Sequence, residues 1–339
     1  MKKGSAICLL SLGLIALLGA GCTHASLRSG STHCAALPAS IAAEYDCPKQ
    51  PDCPCKVKAL EENSRFTIRR VELLAASDNA GTNRWIELDY YAIAGKGKTP
   101  VLMVLPMLGG GYSIERHFAR YFASHGYAAV IVRRDRRGSS ARVEDLNRLF
   151  VQMVKDHKQV IDWMETQADL DCSRLGIFGV SMGAIKGALL LPLESRIQAA
   201  ALGLVGGDLP YILTHTTEEG LAKRREQELR EKHLTLPEAE ARLRTMLSCD
   251  PIAYARYVDP RKVLLVLARY DTVVPIKKGI ELKEKMGNPE TIMLPAGHYS
   301  AVLSLPYIES QSMEFFERRF AAEQTPVVQA RRTFQSGKH

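Results

Sequence analysis

The chain has no internal repeat, and its longest apolar run, residues 7–18, falls short of the roughly 20 residues that span a bilayer. Solenoid and propeller architectures and a bundle of membrane spans are therefore excluded. Basic residues exceed acidic ones by 45 to 37, for a formal net charge of +8, but no basic cluster is interleaved with aromatics. The densest clusters are Arg133-Arg134-Asp135-Arg136-Arg137 and the tail residues Arg331, Arg332 and Lys338. Without stacking side chains beside them, no nucleic-acid partner is expected. Metal-ligand spacing is also poor, because Cys53-Pro-Cys55 has one intervening residue where zinc ligands have two to four. No metal or organic cofactor is implied. What is present is an ordinary globular composition, 46% apolar and 24% charged, in 339 residues, enough for one large domain or two small ones.

Residues 1–22 read as a targeting segment, with Lys2 and Lys3 as the charged start, Ile7 to Leu18 as the apolar stretch, then Gly19-Ala20-Gly21-Cys22. Small residues before a cysteine resemble a bacterial lipobox, in which Cys22 carries the lipid; Gly19 departs from it, since Leu is usual there. An ordinary signal peptide and an uncleaved anchor are the alternatives, and all three export the chain. The expectation is a membrane-held lipoprotein of the cell envelope, on the outer membrane of a Gram-negative bacterium because Thr23, not Asp, follows the cysteine.

The eight cysteines fit an oxidising compartment. Setting aside Cys8 and Cys22 leaves Cys34, Cys47, Cys53, Cys55, Cys172 and Cys249, an even set with four crowded into residues 34–55. Disulfides are expected, with the pairing open and a zinc site as the alternative.

Along the chain, residues 22–64 read as a lipid-anchored, cysteine-rich tether, and the fold is expected to begin near Arg65. Phe66–Leu74 and Trp85–Ala92 look like strands with turn residues at 77–81 between them, an antiparallel edge. From Pro100 strands and helices alternate. Val101–Leu105 is apolar throughout, as a strand buried on both faces must be. Further strands fall at Ala128–Val132, Leu175–Gly179, Ala199–Leu204, Val263–Ala268 and Thr291–Leu294, and helices at 114–125, 143–167, 276–286 and 307–320. Residues 208–258 break the rhythm. They hold a charged helix at 218–233 and a second helix opened by the capping box Thr235-Leu-Pro-Glu238, with Leu236, Ala239, Leu243, Met246 and Leu247 on its apolar face. This stretch is expected to be a helical cap inserted into the sheet series, a pair of plain packing helices being the alternative. The core then covers 65–207 and 259–322, and residues 323–339 are expected to be a disordered tail.

The stretch that carries chemistry is Leu175-Gly-Ile-Phe-Gly-Val-Ser-Met-Gly-Ala184. Gly179-Val180-Ser181-Met182-Gly183 is G-x-S-x-G, placed between an apolar run and a helical one. There a serine can sit on a sharp strand-to-helix turn while the glycines let backbones pass close. The motif alone is weak; its setting makes it credible.

With that elbow, the chain resembles the α/β-hydrolase superfamily over residues 66–320, in particular dienelactone-hydrolase-like and prolyl-oligopeptidase-like serine hydrolases. The resemblance implies an α/β-hydrolase fold, a mostly parallel sheet with antiparallel N-terminal strands. It also implies a nucleophile, an acid and a histidine in that order. Leu267-Ala-Arg-Tyr-Asp-Thr-Val-Val-Pro275 matches the family's G-x-x-D-x-x-V-P, with Ala268 in place of Gly, and makes Asp271 the acid. Alone, Asp271 would fit an Asx turn as well. His298, in Leu294-Pro-Ala-Gly-His-Tyr299, comes last and becomes the base, with Gly297 letting its loop fold over the serine. The oxyanion hole needs two N–H groups. Met182 supplies one and Leu108 or Met107 the other; Pro106 has none. Arg136-Arg137-Gly138 resembles the family's structural D-x-R-G corner, and Cys172 and Cys249 are not expected to act as nucleophiles. The reading is a serine hydrolase cleaving carboxylic esters, with peptide or amide hydrolysis as the alternative and a non-catalytic binding lipoprotein as a different class. Its partners would be a small ester or short peptide substrate, and the membrane through the N-terminal lipid.

Overall fold

The computed structural model describes residues 34–49, 53–75, 84–95, 97–109, 111–134 and 142–322. The apolar segment with Cys8 and Cys22, the turn at 77–81, Gly110, the Arg136-Arg137-Gly138 corner and the tail 323–339 lie outside the described residues.

Nine strands form one sheet among the described residues: β1 (Cys55–Glu62), β2 (Phe66–Leu74), β3 (Trp85–Ile93), β4 (Thr99–Leu105), β5 (Ala128–Val132), β6 (Leu170–Val180), β7 (Ile197–Gly203), β8 (Val263–Ala268) and β9 (Glu290–Leu294). Their spatial order is β1-β2-β3-β5-β4-β6-β7-β8-β9. β1, β2 and β3 pair antiparallel, β3 meets β5 antiparallel, and every pairing from β5 to β9 is parallel. This is the mostly parallel α/β-hydrolase sheet that the sequence implied. The helices are α1 (Ala39–Glu44), α2 (Ser113–Ser124), α3 (Leu146–Glu165), α4 (Met182–Leu190), α5 (Leu209–His215), α6 (Glu219–Glu231), α7 (Leu236–Met246), α8 (Pro251–Tyr254), α9 (Ile276–Lys285) and α10 (Leu305–Ala322).

Successive side chains of a strand point to opposite faces, so a strand covered on both faces must be apolar at every position. β4 shows it. Val101, Met103 and Leu105 join one core with residues of α3, α4 and α9, among them Val160, Ile185 and Leu282. Leu102 and Val104 join the other with Phe118 and Phe122 of α2 and Phe315 and Phe316 of α10. The Phe118 ring centroid lies 4.1 Å from that of Phe178 on β6, the rings tilted by 36°, so aromatic packing closes the second face beside the elbow strand.

The fold starts earlier than Arg65. β1 adds an edge strand to β2, and every one of its residues is exposed, so no burial pattern marked it in the sequence. Lys56, Lys58, Glu61 and Glu62 load that edge with charge, which discourages pairing with another chain. Upstream, Tyr45 is fully buried and its hydroxyl meets Cys249 Sγ at 2.7 Å and Tyr254 Oη at 3.0 Å. The segment read as a tether thus packs on the core. The expected disulfides are not formed: Cys34, Cys47, Cys53, Cys55, Cys172 and Cys249 are all free. Cys53 Sγ instead donates to the Leu74 carbonyl at 3.0 Å and accepts from Gln159, and Cys249 is taken up by Tyr45.

Residues 208–258 are helical, as expected, and lie between β7 and β8. The capping box is present, Thr235 N–H donating to Glu238 at 2.8 Å, and Leu243 and Leu247 reach the core. α6 buries none of its side chains. Among the described residues no helix is long and apolar enough to cross a membrane.

Arg196, between α4 and β7, gathers Glu194 (2.6 Å), Asp162 (2.6 Å) and Glu165 (2.9 Å). Burial alone would raise the Glu194 carboxyl, but the Arg196 guanidinium and N–H hold it below the usual carboxylate range. A carboxyl with a depressed folded pKa stabilises the fold above its unfolded pKa, and the effect is lost as pH falls through the folded value. Arg196→Met should therefore cost about 3 kcal/mol near neutral pH. The gap from wild type should narrow below about pH 4. Urea unfolding across pH checks both points.

Candidate active site

β6 runs straight into Ser181, and α4 begins at the next residue. Ser181 has φ 56° and ψ −124°, a conformation costing a non-glycine residue about 1–3 kcal/mol, which the surroundings must impose. They do so by close packing. A Cβ on Gly179 would lie 2.5 Å from the carbonyl carbon of Gly183, and a Cβ on Gly183 would lie 2.1 Å from the Leu105 oxygen. Both glycines of the motif are thus required by backbone contact. The Ser181 N–H donates to Gly203 O at 2.8 Å, which ties the turn to β7.

Asp271 follows β8 and is buried. Its Oδ1 accepts the N–H groups of Val273 and Val274, each at 2.9 Å, which fixes the orientation of the carboxylate. Its Oδ2 lies 2.8 Å from His298 Nδ1. An ionised carboxylate can only accept, so Nδ1 carries the hydrogen and Nε2 presents its lone pair. Nε2 in turn lies 3.0 Å from Ser181 Oγ, placed to accept its hydroxyl hydrogen. The loops bearing acid and base are stitched together, Tyr270 N–H donating to Ala296 O at 2.9 Å and Arg269 N–H to Leu294 O at 2.9 Å. Gly297 is not under the constraint expected of it. Its φ is not left-handed, and a Cβ there would be in ordinary contact, 3.4 Å from Tyr270 O.

The structure brings together the three residues singled out in the sequence. It also separates the two oxyanion candidates. Met182 opens α4, so its N–H has no acceptor within the helix. The Met107 N–H, however, donates to Glu115 Oε1 at 2.8 Å and is not free for substrate. That leaves Leu108, whose N–H has no acceptor among the described residues. Asp250 and Asp259, the acids shortly upstream of β8, are occupied elsewhere. Asp250 accepts the N–H groups of Asp208, Leu209 and Ile252, and Asp259 pairs with Arg261. Two other histidines are engaged elsewhere: His157 is buried, its pKa pushed down to about 4 by burial, and His117 pairs with Glu309. Nothing local pointed to Glu115, because a carboxylate in a first helical turn ordinarily serves its own helix rather than a loop eight residues back.

The insert touches this site where Thr217 Oγ1 lies 2.8 Å from Thr272 Oγ1, beside Asp271. Leu108 itself, Tyr270 before Asp271 and Tyr299 after His298 present exposed apolar side chains.

A family model described as X-Pro dipeptidyl-peptidase (S15 family) matches residues 55–228, just over half of the chain. The chain belongs to the S15 family. It is thereby a member of a hydrolase family of α/β-hydrolase fold; the match includes Ser181 and ends before Asp271 and His298. No curated protein matches the chain. Among solved structures, an acetyl xylan esterase from Paenibacillus sp. R4 is 17% identical, with TM-score 0.60 over 84% of this chain and 100% of that one. Acetyl xylan esterase 1 from Thermoanaerobacterium sp. JW/SL YS485 is 15% identical, with TM-score 0.58 over 84% and 96%. A 2,6-dihydroxy-pseudo-oxynicotine hydrolase is 16% identical, with TM-score 0.55 over 75% of this chain and 68% of that one. At such identities the likeness is one of fold.

The 2.1 Å approach makes Gly183→Ala a direct probe of the S15 elbow. The new Cβ has to push away the Leu105 carbonyl, a backbone group, at a cost of about 3 kcal/mol. Both the urea midpoint and the hydrolytic rate should fall; wild-type values for either would mean that the contact yields.

Proposed function

We propose that this S15 member is a serine hydrolase that cleaves carboxylic esters through an acyl-enzyme. The observation that carries the reading is the continuous chain Ser181 Oγ–His298 Nε2–His298 Nδ1–Asp271, at 3.0 and 2.8 Å. In the first half-reaction the Ser181 hydroxyl gives its proton to Nε2 as Oγ attacks the acyl carbon. The tetrahedral oxyanion takes hydrogen bonds from the N–H groups of Met182 and Leu108, and Asp271 stabilises the imidazolium. His298 then returns the proton to the departing alkoxide, and the same residues activate water to release the acid.

Two observations bear on ester against peptide. The chain superposes along most of its length on acetyl xylan esterases, which supports an ester. The matched family is described as a dipeptidyl-peptidase, which supports an X-Pro amide as the second reading. p-Nitrophenyl acetate beside an Xaa-Pro p-nitroanilide separates them: the ester is expected to be the faster substrate, and faster release of nitroaniline would reverse the assignment. Ser181→Ala should lose hydrolysis and fluorophosphonate labelling while folding normally, since the hydroxyl contributes chemistry and little packing. Asp271→Asn should fold and lose about 10⁴ in kcat by analogy with the loss of the buried carboxylate in other triads. Full activity in either variant would place the chemistry elsewhere.

The N-terminal segment supports a further part of the proposal, export with Cys22 as a lipid-bearing residue. Lys2, Lys3, the apolar run and Gly19-Ala20-Gly21 motivate it. Cys22→Ser should move the protein from the membrane fraction to the soluble one with its kcat unchanged. Equal distribution of the two would remove the lipid anchor.

A further inference from the structure

The loop after β4 is held in an unusual way. Pro106-Met107-Leu108 contains two consecutive peptide units with four polar atoms, and charged side chains reach three of them. Lys186 Nζ, on α4, donates to Pro106 O at 3.4 Å. The Met107 N–H donates to Glu115 Oε1 at 2.8 Å, and Arg134 donates to Met107 O at 2.8 Å. The fourth atom is the Leu108 N–H. A peptide unit is planar and trans, so the hydrogen on Leu108 points away from the carbonyl that Arg134 grips. Fixing the Met107 oxygen therefore fixes the direction of the Leu108 N–H.

Each gripping residue is itself held. Glu115 is buried in the first turn of α2. The Arg134 guanidinium lies 4.2 Å over the Tyr112 ring, and the Arg134 N–H donates to the Tyr112 hydroxyl at 2.9 Å. Tyr112 is left-handed at φ 63°, where the loop turns into α2. Burial pushes the Lys186 ammonium down to about 8, with Arg134 adding to the shift as a like charge and Glu115 opposing it. The three side chains come from α2, the end of β5 and α4, so the loop is clamped from three elements at once.

We propose that Arg134 and Glu115 are positioning residues that aim the Leu108 N–H at the oxyanion of the reaction assigned above to Ser181. The clamp rests on that assignment. A guanidinium on the Met107 carbonyl also polarises the peptide, which strengthens its N–H as a donor just when negative charge develops on substrate. Such a device acts on the transition state and not on the bound ester, so it has a kinetic signature distinct from loss of packing.

The test compares wild type with Arg134→Met, Glu115→Ala and Glu115→Gln, reading kcat and KM on p-nitrophenyl acetate, inhibition by a boronic acid and melting temperature. Arg134→Met should lower kcat by about 10- to 100-fold, a fraction of what losing an oxyanion donor outright costs. KM should stay within about twofold, while boronate affinity falls in parallel with kcat/KM. Glu115→Ala should behave likewise and Glu115→Gln should restore most of the rate, because the amide oxygen still accepts the Met107 N–H. A folded Arg134→Met with wild-type kcat, or with altered kcat and unchanged boronate affinity, overturns the clamp alone. If Arg134→Met does not fold, the Glu115 pair decides, and equal rates in Ala and Gln overturn it. A wild-type protein that neither hydrolyses the ester nor takes a fluorophosphonate label removes the hydrolase reading, and the clamp falls with it.

Discussion

Between Gly183 and the Leu105 carbonyl there is no space for a methyl group, and much of the site's geometry follows from that contact. Leu105 is the last residue of β4, so the same approach that allows α4 to start abruptly after Ser181 also fixes where the loop 106–112 leaves the sheet. A serine at φ 56° is costly unless both neighbours of the turn are pinned. Here they are, by β7 through the Ser181 N–H and by β4 through Gly183. On the proposed reading, the nucleophile and the oxyanion donor therefore belong to one packed unit, whereas acid and base sit on a second unit of paired loops after β8 and β9.

The two units differ in how charge is used. On the second, a single buried carboxylate is satisfied by two backbone N–H groups and one imidazole, so its negative charge is matched where it is needed, at His298. On the first, Glu115, Arg134 and Lys186 each place a hydrogen bond on a peptide atom of residues 106–107. On the proposed reading, a lone carboxylate this close to a developing oxyanion would oppose it, and two cations that reach the same loop offset the one anion. Burying such groups is costly unless they are paired, and the backbone of residues 106–107 is what pairs them.

How far the sequence could be read depended on whether the signal was local. Strands buried on both faces, such as Val263–Ala268 and Ala128–Val132, announced themselves because every side chain had to be apolar. The capping box at Thr235 was legible because its two partners are three residues apart. Ser181, Asp271 and His298 were found by motif and order, and the structure places them in contact. What escaped notice was non-local. β1 shows no burial pattern because it is an exposed edge, and Tyr45 is buried by residues more than 200 positions away. Cysteine parity suggested disulfides, but parity says nothing of distance, and Cys249 and Cys53 find hydroxyl, amide and carbonyl partners instead. Met107 looked as good a donor as Leu108 until Glu115 was seen to occupy it.

On the proposed reading, the inserted helices bear on selectivity for a related physical reason. α6 buries no side chain, and the insert meets the rest of the chain partly through exposed ion pairs, Lys232 and Arg242 both reaching Glu144 at 2.7 and 2.9 Å. Such pairs are worth little each, about 0–1 kcal/mol. The firmer anchor is apolar, Leu243 and Leu247 in the core, and it holds the far end of α7. Between these lies the contact of Thr217 with Thr272, one residue from the acid. On the proposed reading, changes of sequence in α6 can therefore alter what reaches the triad without disturbing the two units that perform the chemistry. Residues that pack Leu243, by contrast, affect substrate choice only by first affecting stability.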